Sequence, residues 1–85
     1  MTLTDAEVET CRIDDDSPAR GKTLAELSIR THSGASVIAW TRSGATQSNP
    51  SEKTRLQAGD IVVLLGSRAQ IRQAMGLLAD RQRGE

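Results

Sequence analysis

Arg30 and His32 stand two residues apart in Ser28–Gly44, SIRTHSGASVIAWTRSG, just ahead of Gly34. Arginine presents a planar fork of N–H donors that suits phosphate, and histidine titrates near neutrality. The pair therefore suits anion binding or pH sensing. The plainer reading is a solvated Arg in a last helical turn beside a His that partners the helix dipole. Asp14, Asp15 and Asp16 invite a calcium or magnesium reading. Yet three adjacent acids alternate direction in an extended chain, and the pattern D-x-[DN]-x-[DN]-G is missing. A solvated acidic loop is expected, and no metal site. Cys11 reads as a small core residue rather than a nucleophile. Gly21-Lys22-Thr23 ends like a phosphate loop, but position 16, where G-x-x-x-x-G-K-[ST] needs its first Gly, is Asp. One His and one Cys, with no Tyr, give little from which to build a catalytic set, so no enzyme is expected.

Composition narrows the classes further. The chain has 85 residues, 36% hydrophobic, with one Trp and no Phe or Tyr. A chain this short buries only about 60–65% of its unfolded surface, so a single copy is marginal. Neither disulfides nor a metal cluster is on hand to compensate, and burial against a second copy is the remaining remedy. A homodimer is expected. The eleven basic and eleven acidic residues cancel, yet six acids and one base precede Ser17. A neutral chain with one aromatic lacks the basic stripe and stacking residues of nucleic-acid binders, and no nucleic-acid partner is expected. The opening MTLTDAEVETCRIDDD lacks the basic and apolar regions of a signal peptide, and Ile61–Leu65 is the longest apolar run. A cytoplasmic location is expected.

The elements that must position these residues follow from pattern and punctuation. AEVETCRI reads as a first strand with Val8 on one face and Cys11 and Ile13 on the other, at an edge or with a bulge. Thr23-Leu24-Ala25-Glu26 is a capping box, opening one short helix over LAELSIRT that Gly34 ends. SVIAWTR alternates Val37, Ala39 and Thr41 against Ile38, Trp40 and Arg42, with Trp40 as a core or interface anchor or a platform for a base. Ser43-Gly44 turns the chain into ATQSN, which stops at Pro50. SEKTRLQAGD is a polar connection, and IVVLLG reads as a strand buried on both faces. Ser67-Arg68-Ala69-Gln70 is a second capping box before an amphipathic helix carrying Ile71, Ala74, Met75 and Leu78. The order is β-α-β-β-β-α, an α+β fold with two helices on a small, mainly antiparallel sheet.

GKTLAELSIR, GASVIAWTRSG, NP and LQAGDIVVLLGS, in this order and spacing before a final helix, resemble the TrkA-C domain. This is the C-terminal lobe of RCK modules, the regulators of potassium conductance. The resemblance runs from about Val8 to Ala79 and implies a single regulatory domain over residues 1–85. It implies a homodimeric, cytosolic regulator of a bacterial potassium channel, potassium uptake system or cation/proton antiporter. Such a domain senses a small ligand at the dimer interface, cyclic di-AMP in one branch; the alternative is a ligand-free dimerisation module of the same systems. No cofactor is required, and the nucleotide-binding lobe with its G-x-G-x-x-G loop has no counterpart in these residues.

The resemblance also implies a pocket where the first helix meets the next strand. Leu24 corresponds to the apolar residue opening the helix, Ile29 and Arg30 to an Ile-Arg pair at its end, and Pro50 to a Pro after the hairpin. Ser36 stands where Asn is common, and one hydroxyl replaces an amide's acceptor and donor pair. That departure bears on base specificity rather than on family. His32 completes the ligand-binding set Leu24, Ile29, Arg30, His32, Ser36 and Pro50.

Overall fold

The computed structural model describes residues 6–79. Met1–Asp5, part of the segment read for a signal peptide, lie outside the described residues. The order is β1 (Glu7–Arg12), α1 (Leu24–Leu27), α2 (Ile29–Ser33), β2 (Ser36–Arg42), β3 (Ala45–Ser48), β4 (Ile61–Gly66) and α3 (Arg68–Leu78). The strands form one antiparallel sheet in the order β1-β4-β2-β3. The α+β reading therefore holds.

Local chemistry accounts for most of the elements. Both capping boxes form: the Thr23 hydroxyl accepts from the Glu26 amide, and the Glu26 carboxylate accepts from the Thr23 amide. Ser67 and Gln70 repeat the arrangement at α3. Ser43 and Gly44 both have positive φ, 53° and 82°, the two-residue turn whose twist matches the flanking strands of β2 and β3. The core gathers Cys11 of β1 and Ile13 just after it, Val62 and Leu64 of β4, Leu27 and Ile29, Leu56, and Ile71, Ala74 and Leu78 of α3. Strand β1 is an edge with unbroken register, and Val8 points away from this core at 57% exposure.

Three features differ from the sequence reading. The first helix is two single turns, broken at Ser28, which adopts left-handed φ 47°, ψ 46°. Leu27 and Ile29 both belong to the core, and residues two apart on a continuous helix face opposite ways. The break lets both be buried. Strand β4 is buried on one face only: Val62 and Leu64 are enclosed, while Ile61 and Leu65 are 36% and 37% exposed. Among the described residues the helices pack on the Val62/Leu64 side, as the core cluster shows, and the other face carries the exposed Val8, Ile61 and Leu65. A bulge interrupts β2, where the sequence predicts regular alternation, while β1 takes the edge position. Val37 pairs with Leu64 and Trp40 with Val62, so Ile38 is the extra residue and the alternation shifts across it.

Candidate ligand pocket at the α1–α2–β2 junction

The segment joining β3 to β4 does more than span a gap. It runs beside the start of α1, where the Leu24 amide donates to the Thr54 carbonyl and the Ala25 amide to the Glu52 carbonyl, each at 3.0 Å. The Gly21 amide donates to the Leu56 carbonyl and the Leu56 amide to the Lys22 carbonyl, and Leu56 is fully buried. Clamped in this way, the connection forms one wall of a cleft of about 360 Å³. Ala25, Ser28 and Thr31 line it from the two short helices, Ala35 and Val37 from the β2 end, and Glu52 from the connection.

Five of the six sequence-derived residues line this same cleft: Leu24, Ile29, Arg30, Ser36 and Pro50. They come from four separate stretches of chain, brought together by the helix break and by the hairpin that returns the chain to Pro50. Arg30 is exposed, and its guanidinium makes no hydrogen bond or ion pair with another described residue. By contrast, Arg20, Arg42 and Arg55 each donate to a carbonyl or carboxylate of the fold. The cleft thus offers an uncommitted fork of donors beside the apolar Leu24, Ile29, Val37 and Pro50. That combination suits an anion attached to a flat apolar group.

His32 is not among the lining residues. Its Nδ1 lies 3.1 Å from the Ser28 carbonyl and 3.4 Å from that of Leu27, acceptors to which this nitrogen can only donate. The ring is engaged with its own helical turn. Glu52 was missed, because a polar loop carries no periodicity to mark a docked position; its place depends on bonds to residues about thirty positions earlier in the chain.

The acids read as possible ligands behave as loop residues. Asp14, Asp15 and Asp16 are exposed, the Asp14 carbonyl accepts from Ser17, and Arg20 donates to the Asp15 carbonyl. Among the described residues, no group of three or more His, Cys, Asp or Glu is placed to hold a metal ion. A different acid is buried. Asp60, 1% exposed, accepts from Arg42 Nε at 2.8 Å and Nη2 at 2.7 Å, and from the Gln57 amide at 2.8 Å. Burial pushes its carboxyl up, but the Arg42 hydrogen bonds, the Gln57 amide and the Arg42 charge outweigh that and hold it below its ordinary value. Arg42 also lies 4.5 Å from the Trp40 ring centroid, which takes up one ring face. This cluster lies away from the cleft lining and reads as a structural clasp between β2 and the turn before β4.

No curated protein matches the chain. Among solved structures, the RCK_C domain dimer of S. agalactiae BusR in complex with c-di-AMP matches with TM-score 0.78 and 20% identity, over 87% of this chain and 97% of that one. A longer BusR structure, in complex with its busAB-promotor DNA, matches with TM-score 0.79 and 20% identity over all of this chain but 40% of its own. The RCK C domain of the potassium transport protein KtrA, also with c-di-AMP, matches with TM-score 0.76 and 19% identity, over 85% of this chain and 82% of that one. The GsuK RCK domain matches with TM-score 0.81 and 24% identity over 99% of this chain, which spans only 18% of that protein. At these identities the likeness shows the fold. Within the described residues, no helix is long and apolar enough to cross a membrane. The model of the TrkA-C domain matches residues 8–79, and the chain belongs to the TrkA-C domain family.

Proposed function

We propose that this chain is a cytoplasmic regulatory domain of a bacterial potassium channel, potassium uptake system or cation/proton antiporter, binding a small phosphate-bearing ligand between two copies of itself. A nucleotide, of which cyclic di-AMP is the example held by BusR and KtrA, is the class of ligand proposed. The observation that carries the reading is the convergence of Leu24, Ile29, Arg30, Ser36 and Pro50 on one cleft, with the Arg30 guanidinium unengaged. The homodimer is supported by the open sheet face. Val8, Ile61 and Leu65 are exposed there, and Leu65 pairs with Ser36, so that apolar face adjoins the cleft. A second copy on that face would cover apolar surface and add a second wall to the cleft. Ligand binding then favours one arrangement of the two copies, by no more than its differential affinity for the arrangements. A membrane transporter reads the result. The DNA complex of BusR involves a longer chain; the zero net charge and single aromatic of this one favour a role without nucleic acid.

The test is thermal unfolding of the wild type and Arg30→Ala with cyclic di-AMP, other nucleotides and inorganic pyrophosphate. A ligand at a hundred times its Kd stabilises by about 2.7 kcal/mol, a rise of roughly 10 °C or more in a domain of this size. That rise should be lost in Arg30→Ala. Midpoints indifferent to every nucleotide, yet dependent on protein concentration, would leave a dimerisation module without a ligand.

A further inference from the structure

Arg30 and Glu52 line the same cleft, from α2 and from the connection before β4. Neither side chain bonds to another described residue, although Glu7, Glu26 and Asp60 are each engaged elsewhere. Glu52 is nonetheless held in place. Its carbonyl accepts from the Ala25 amide, and its neighbours are fixed by bonds from Lys53 and Thr54 to Ser51 and from Leu24 to Thr54. The cleft lining therefore includes one cation and one anion, among polar as well as apolar residues. A ligand that satisfies both carries an anion at one part and N–H donors at another, as a nucleotide does through its phosphate and its base.

Resting on the ligand-binding function proposed above, we infer that Glu52 determines base specificity and selects guanine over adenine. An ionised carboxylate only accepts hydrogen bonds, through two oxygens side by side. The pairing edge of guanine offers two adjacent donors, N1–H and the N2 amino group, which match those oxygens in parallel. Adenine offers its N6 amino group beside N1, an acceptor whose lone pair would face the second oxygen. Ser36, also at the cleft, has one hydroxyl and supplies no amide to read adenine in two places. A site built around a paired contact rejects a ligand that leaves one partner unmatched.

The experiment is calorimetric titration of the 85-residue chain with cyclic di-GMP and with cyclic di-AMP, for the wild type, Glu52→Gln and Arg30→Ala. Circular dichroism confirms that each variant is folded. The wild type should bind the guanine ligand at least about tenfold more tightly, the lower range for a bidentate base contact. Glu52→Gln should invert the preference, since an amide donates to adenine N1 while accepting from N6. Equal binding of the two ligands by the wild type, a preference for adenine, or a ratio unmoved by Glu52→Gln overturns the assignment to Glu52. If binding is also lost in Arg30→Ala, the ligand-binding function survives that result. Absence of binding to either ligand and to the other nucleotides overturns both.

Discussion

Replacing Asp60 with Asn should destabilise the domain at neutral pH and leave it nearly unchanged in acid. Asp60 accepts three hydrogen bonds at 2.7–2.8 Å, two of them from Arg42, while its own side chain is 1% exposed. Asn retains one acceptor oxygen and sets an NH2 group against a donor, so at least one charge-assisted bond is lost. Bonds to charged groups contribute about 1.5–3 kcal/mol each. The Arg42 side chain is 34% exposed and partly screened by water, which argues for the lower part of that range, about 2 kcal/mol. In a domain of this size that is a fall in Tm of about 8–16 °C. The sign with pH follows from the depressed carboxyl of Asp60. Its contribution is present above the ordinary Asp value of about 3.9 and is lost as pH falls through the lower folded value. Protonated Asp60 then resembles Asn, and the two unfolding curves should converge. Thermal scans of both proteins at one fixed concentration, from neutral to acidic pH, measure this directly. A difference at pH 7 below about 2 °C, or one that stays constant into acid, would refute the reasoning, since the first corresponds to less than about half a kcal/mol.

Thr23→Ala removes the hydroxyl that caps α1 and the start of the cleft wall, and should lower stability by about 1 kcal/mol, with Thr23→Ser retaining most of it; chemical unfolding midpoints compare the three. Gly34→Ala should cost more than Gly44→Ala, although both glycines have positive φ, at 84° and 82°. A Cβ at Gly34 would lie 2.7 Å from Gln70 Nε2 and displace the side chain that caps α3, whereas one at Gly44 meets nothing within 4 Å. Left-handed backbone alone costs of order 1–3 kcal/mol, and equal losses in the two variants would show that the Gln70 contact adds nothing.

What the sequence determined by itself is local. The capping boxes at Thr23 and Ser67, the hairpin at Ser43-Gly44, the Gly34 terminator and the Ile71, Ala74, Leu78 stripe all depend on partners within a few positions. Their hydrogen bonds and periodicities can be read without knowing the fold. Five cleft residues were legible only through the ordered set of segments that the family shares, since no single spacing points to Leu24 or Pro50. Tertiary structure decided what depends on distant partners. Ser28 takes a strained conformation so that Leu27 and Ile29 can both reach one core, and the bulge at Ile38 follows from pairing with β4. Asp60 is buried because Arg42, eighteen positions earlier, closes over it. Glu52 lines the cleft because its carbonyl accepts from the Ala25 amide. In each case the chain must first close a long loop, and only the packed core and the bonds made across it offset that entropy. A local pattern carries no trace of such a bond until the fold supplies the other half.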